Sequence, residues 1–429
     1  MNVQDWLLSE RLKIAWAALP PSKRAELQPM FDAAHQQLRN FQNTGQATHK
    51  PGVPHQLLLA KSALTNDQEG LVSSLPAPEA KAVELSVDPG GSIWGTGQYQ
   101  QLDPRWVEAA ALWLEHILSG KFKFPDGQPI VVPMPDQVTI AMAGDWGTGD
   151  WGTAANPAAS TKIRKLIAAQ NADFTIHLGD VYYAGTSEEE ANKLLKLWPA
   201  GSTGSFTLNS NHEMYSGAKP YFTEVVGHPP FQLQAPCSFF ALENSNWVVV
   251  GLDSAYYGDE NALYQDGALG ASAQIPFLQA QAQKGKKVIV LTHHNGLAED
   301  GSIPAAGTAQ SRLWNDVMQA FQGSPPPAYW YWGHVHTGVV YNPVNGILCR
   351  CAGHGALPWA TASELQNNPN VAWVEKRLAN DPDDTLRLCN GFAVLSLAGA
   401  NISETFYDEN GQVAWTSEGS SESSASAAS

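Results

Sequence analysis

Between Gln137 and Trp332 short β-rich apolar runs take turns with helical stretches, and that alternation constrains the chain to a layered α/β sheet. Strands are predicted over 138–143, 174–178, 206–208, 247–252, 288–291 and 329–332, with helices over 160–170, 188–198, 272–284 and 311–322. The run Tyr329-Trp330-Tyr331-Trp332 reads as a buried strand rather than a stacking platform. Beyond it, 391–415 reads as a hairpin turning at Glu409-Asn410-Gly411, and 417–429 is a Ser/Ala/Glu tail with nothing to bury.

The first 135 residues follow a different pattern. Trp6, Leu7, Leu12, Ile14, Trp16 and Leu19 fall near helical spacing, Pro20-Pro21 breaks it, and a second helical stretch covers 22–41. From 44 to 103 the chain is rich in Gly, Pro, Gln and Ser and reads as a wrapping segment. Asp103-Pro104 then starts a helix whose apolar face is Trp106, Ala110, Trp113, Leu114 and Ile117, ending at Gly120.

With 41 acidic and 25 basic side chains among 429 residues, the net charge is −16. Nothing supplies the basic face that a nucleic-acid backbone or an anionic membrane needs, so neither is an expected partner. No apolar window reaches membrane-spanning length, and the run 14–19 is too short and too close to Asp5 and Glu10 for a signal peptide, which leads us to expect a soluble cytoplasmic protein. The four cysteines, Cys237, Cys349, Cys351 and Cys389, form neither a disulfide scaffold nor a CxxC pair, and Cys349 and Cys351 should share one strand face.

The chemistry lies where the strands end. Each of the second-half strands runs into residues that bind hard metals: Gly144-Asp145, Gly179-Asp180, Asn211-His212, His293-His294 and Gly333-His334-Val335-His336. In an open α/β sheet, ligands bind at the carboxyl ends of the strands, so these side chains converge. Two Asp, one Asn and several His suffice for two cations sharing one carboxylate, an arrangement suited to displacement at phosphorus. Taken singly, Asp145, Asp180 and Asn211 are ordinary turn residues; as an ordered set they read as ligands. Asp150, in the repeated Asp-Trp-Gly-Thr, rivals Asp145, but only Asp145 directly follows its strand. The literal GxGxxG at 147–152 lacks a dinucleotide-binding context, because Pro157 delays the next helix to about Ser160. His177 reads as a core histidine, and His35, His49, His55, His116 and His228 as ordinary surface or core residues.

These five blocks, in this order, resemble the calcineurin-like metallophosphoesterases, whose pattern is D-x-H or D-x-G, GD, GNH(D/E), H and GHxH. The resemblance implies a four-layer α/β sandwich, two mixed sheets flanked by helices, over 136–416, with 1–135 as a helical and irregular extension. Two details are similar to the purple acid phosphatase branch: glycine at Gly147 where most relatives carry a ligand histidine, and Tyr183 three residues after Asp180. The resemblance further implies metal one on Asp145, Asp180, Tyr183 and His336, and metal two on Asp180, Asn211, His293 and His334, with Asp180 bridging. A phenolate at Tyr183 would suit Fe(III), paired with Fe(II), Zn or Mn.

By the same resemblance His212 stabilises the transition state and protonates the leaving oxygen, Glu213 orients it, and His294 and His354 lie in a supporting or substrate-facing shell. The implied reaction is hydrolysis of a small phosphate monoester by metal-bound hydroxide. A phosphodiesterase is the alternative, and a non-catalytic scaffold the less favoured one. The family pattern is departed from at Ser210, at Asn295 and in 296–302, which holds no histidine, and this leaves the substrate class open.

Overall fold

The computed structural model describes residues 10–48, 50, 53–65 and 86–417. Trp6, Leu7 and all of the tail except Ser417 lie outside the described residues. Two mixed sheets face each other. The six-stranded sheet runs in the order Val413–Thr416, Asn401–Asp408, Gly391–Ala398, Gln137–Ala143, Phe174–His177, Gly204–Thr207. The eight-stranded sheet runs Val131–Pro133, Phe240–Glu243, Trp247–Gly251, Lys287–Leu291, Tyr329–Trp332, Leu348–Ala352, Gly338–Tyr341, Val371–Val374.

Within each sheet the strands that lead to the candidate ligands are parallel and in step. Ala143 pairs with His177 and His177 with Thr207 in one sheet; Gly251 pairs with Leu291 and Leu291 with Tyr331 in the other. Their carboxyl ends therefore finish at a common edge, and the residues that follow start from a common level.

The inner faces interdigitate through Ile140, Met142, Phe174, Ile176 and Phe206 from one sheet and Phe240, Val249, Ile289, Leu291 and Tyr331 from the other. The outer face of the eight-stranded sheet, with Val250, Val290, Trp330 and Cys351, is covered by helices Gln274–Ala282 and Ser311–Ala320 through Leu278, Leu313 and Val317. The other outer face, with Ala141 and Ala143, meets helix Ala159–Ala169 through Ile163 and Ile167. Helix, sheet, sheet, helix is the four-layer sandwich expected.

The N-terminal helices Glu10–Ala18 and Pro21–Thr44 join that last apolar cluster. Leu12, Phe31, Leu38 and Phe41 pack with Val107, Ala110, Trp113 and Leu114 of helix Trp106–Ser119. The Trp16 and Phe31 rings meet at 5.0 Å. The same cluster takes in Tyr182, Met214 and Tyr215 beside the site, so this apolar packing continues from the N-terminal helices to the loops that carry the candidate ligands.

Three expectations differ from what is observed. Residues 391–416 form a three-stranded meander, because Gly399, with φ 58°, makes an additional turn ahead of the one at Gly411. The helix expected over 188–198 begins as one α-turn at Ser187–Glu189, capped reciprocally by Thr186 and Glu189, and continues as the π-helical Glu190–Leu195. The wrapping segment holds a 3₁₀ turn at His55–Leu57 and a helix at Ala60–Thr65.

Candidate metal centre

Tight turns at the strand ends aim the acidic side chains. Gly179 has φ 102° and Asp180 φ 78°; a Cβ on Gly179 would lie 2.6 Å from His293 Nδ1 and 2.9 Å from the Ser210 Cβ, so glycine is required there. Asp145, also left-handed at φ 57°, accepts the backbone N–H of His334 on Oδ2 at 2.8 Å. A loop from one sheet is thereby tied to a loop from the other. Asn211 opens the short helix Asn211–Tyr215, capped by the Ser210 hydroxyl, which accepts from the His212 N–H at 3.0 Å.

Two groups of donors result. In the first, ligand atoms of Asp145, Asp180 and His336 lie within 4.8 Å of one another; in the second, those of His293, His294 and His334 do. Asp180 spans both, with Oδ1 3.3 Å from His293 Nε2 and Oδ2 accepting from the Tyr182 hydroxyl at 2.8 Å.

The hydrogen bonding around both groups leaves lone pairs facing one another. The Nδ1 of His293 donates to the Leu178 carbonyl at 2.9 Å, so its neutral ring presents a bare Nε2. That Nε2 faces Asn211 Oδ1 at 2.9 Å, while the Asn211 amide Nδ2 donates to the Tyr215 hydroxyl at 3.1 Å. Burial lowers the pKa of His293, which favours this neutral form. At the first group one Tyr182 hydroxyl meets three acceptors: Asp180 Oδ2, Asp145 Oδ1 at 3.1 Å and His336 Nε2 at 3.3 Å. Three converging acceptors with one proton, or with none, are what a cation would satisfy.

Charge effects agree. Burial, then the neighbouring Asp180 charge, raises the Asp145 carboxyl well above its usual range. Burial opposes the charge on Asp180 as well, but His212, His293 and the Ser210 hydroxyl hold it well below. Burial brings the rings of His334 and His336 down to about 3, leaving them neutral, as ligation requires. The donor set, carboxylate, amide oxygen and neutral imidazole, fits two hard or borderline cations.

Of the expected residues, Asp145, Asp180, Asn211, His293, His334 and His336 come together, but Tyr183 does not. Its hydroxyl bonds Asp103 and its ring stacks on Tyr99 at 4.7 Å. The adjacent Tyr182, read from sequence as a core residue, turns its hydroxyl to the carboxylates instead. His212 stands at the expected place, with Nδ1 on the Tyr183 carbonyl at 2.7 Å and Nε2 3.8 Å from Asp180 Oδ2. Glu213 does not touch it; its carboxyl bonds the Ser210 hydroxyl, and the His212 ring is flanked by Tyr182, Tyr215 and Trp106.

His294 has both nitrogens engaged, Nδ1 with Ser254 Oγ at 2.9 Å and Nε2 with the Tyr264 carbonyl at 2.7 Å, so it supports the site rather than ligating. His354 is 3% exposed and lines a small cavity with His336 and Trp359. Asp150 lies apart, on Thr161 and 3.5 Å from Arg164. Trp359, unremarked in the sequence, sets its ring against His336 at 4.6 Å.

Residues 138–338 match the calcineurin-like phosphoesterase family. No curated protein matches the chain. Among solved structures, a dimetal phosphatase from Danio rerio is similar at 14% identity and a TM-score of 0.41, covering 63% of this chain and 95% of that one. A conserved uncharacterized protein of Streptococcus pneumoniae TIGR4, a predicted phosphoesterase, is similar at 9% identity and a TM-score of 0.25, covering 65% and 95%. The family match spans the five blocks that build both donor groups, so residues 138–338 are similar to calcineurin-like phosphoesterases in sequence, and the side chains gathered there are ones that could hold metal ions.

Proposed function

We propose that the protein hydrolyses small phosphate monoesters at a two-cation centre. The observation that carries the reading is Asp180, fully buried, with one carboxylate oxygen facing each donor group. Asp145, Asp180, His336 and Tyr182 would hold one ion, and Asp180, Asn211, His293 and His334 the other. Two cations there would activate water and offset charge on the phosphoryl oxygens. The phenol of Tyr182 among carboxylates favours Fe(III) at the first position, with Fe(II), Zn or Mn at the second.

His212 is anchored through Nδ1–H on the Tyr183 carbonyl, so its Nε2 is the atom that carries a proton to the leaving oxygen. A cleft of about 580 Å³, lined by Asn211, His212, His334 and His336, has the size for a small-molecule ester. Four cysteines that are all free and buried support a reducing, cytoplasmic setting.

The test is hydrolysis of p-nitrophenyl phosphate against bis-p-nitrophenyl phosphate by protein loaded with iron, manganese or zinc, with Asp180→Asn as control. Monoester turnover that vanishes in the control is expected. Preference for the diester would make the enzyme a phosphodiesterase, and failure to bind metal would make it a scaffold.

A further inference from the structure

One wall of the cleft comes from outside the residues that match the phosphoesterase family. Lys50, His55 and Ser92 line it together with His212, His334 and His336, although the matched domain begins only at 138. His55 is firmly placed. It opens the 3₁₀ turn His55–Leu57, and the next residues, Leu57, Leu58 and Leu59, are buried in the N-terminal apolar cluster. The Leu58 N–H returns to the His55 carbonyl at 3.0 Å. His55 and His336 line the same cleft.

Charge in the cleft is lopsided. Its described lining carries the carboxylates of Asp266, Glu299, Asp300 and Glu364, and a single lysine, the exposed Lys50. A monoester dianion entering there needs donors for the phosphoryl oxygens that cations leave open, and imidazole N–H and ammonium are the groups suited to that contact.

We propose that His55, with Lys50 at the rim, binds the non-bridging phosphoryl oxygens, so that the N-terminal segment sets monoester specificity. His55, read from sequence as an ordinary surface or core residue, is thus a substrate-binding residue. The inference rests on the phosphoesterase reading above.

The test is calorimetric titration of inorganic phosphate into the metal-loaded full chain, with metal content measured for each variant. His55→Ala should weaken phosphate binding about tenfold or more and raise KM for p-nitrophenyl phosphate with little change in kcat, at unchanged metal content. Lys50→Ala should weaken it less. His55→Gln, which keeps an N–H donor, should recover part of the affinity, as a merely structural role would not. Wild-type hydrolysis with phosphate affinity in His55→Ala within twofold of wild type overturns the inference alone. A wild type that neither hydrolyses esters nor binds phosphate overturns the underlying reading together with it.

Discussion

Tyr182 and Tyr183 are neighbours with opposite fates, one hydroxyl on Asp145 and Asp180 and the other on Asp103. Burial and the two carboxylates push the Tyr182 phenol well above its usual pKa, and a cation among those oxygens would reverse that balance by favouring phenolate. The iron-loaded protein should therefore be coloured by phenolate charge transfer, Tyr182→Phe should bleach it, and Tyr183→Phe should leave the visible spectrum intact. Loss of colour in Tyr183→Phe alone would reverse the assignment.

That Asp145, Asp180, Asn211, His293, His334 and His336 come together was legible because each lies within three residues of an apolar run or a glycine turn, so the end of a strand marks the residue. In Val181-Tyr182-Tyr183 no such marker exists. Two adjacent aromatics in a turn point to different sides, and only the packing of Tyr183 between Tyr99 and Trp106 decides which. Glu213 was misread for a related reason. Adjacent residues on a helix point to different sides, so Glu213 turns away from His212, and Ser210, three residues earlier, bonds its carboxyl.

At the scale of elements, the least legible piece is the strap around Gly91. It has no periodicity to detect, because it is a small turn held by side chains: Asp88 accepts from the Ser92 N–H at 3.0 Å, and Val87 bridges Ile93. It is pinned to Trp359, whose Nε1 donates to the Gly90 carbonyl at 2.8 Å, and Trp359 in turn packs on His336. Gly91 has φ 96°, and a Cβ would come within 2.6 Å of the Ala360 carbonyl and 2.7 Å of the Trp359 ring. Gly91→Ala should cost more than about 1 kcal/mol in denaturant unfolding, and it should weaken metal binding by disturbing the wall behind His336. Unchanged stability and unchanged metal affinity would show that the strap is decoration. The central parallel strands, in contrast, were read to within a few residues from their β-branched runs. The strands Val131–Pro133, Phe240–Glu243, Gly338–Tyr341 and Val371–Val374 are not marked in the sequence, because their short runs are broken by Pro, Ala, Glu or Gly and lack the continuous apolar character of the central strands.

Across the whole molecule, buried histidines govern the response to acid. Both ring nitrogens of His354 lack a hydrogen-bond partner among the described residues, and burial takes its pKa from 6.5 to about 4. The unfolded chain therefore binds a proton that the folded one refuses, and stability present above pH 6.5 is lost as pH falls toward 4, by at most about 3 kcal/mol from this residue. Urea unfolding of the metal-free protein at several pH values should show a flatter acid limb in His354→Leu. An identical limb would mean that His354 contributes nothing to the acid response. His116, also brought to about 4 by burial, keeps part of the slope in that variant.

The two donor groups draw on both sheets: Asp145, Asp180 and Asn211 follow strands of the six-stranded sheet, and His293, His334 and His336 follow strands of the eight-stranded one. Ions seated among them would act as rivets across the open seam of the sandwich, where loops rather than interlocked apolar side chains face each other. Cofactor supply would then set the mechanical integrity of the fold as well as its chemistry, and a cell short of metal would hold a protein whose two halves are freer to part at the very edge where substrate enters.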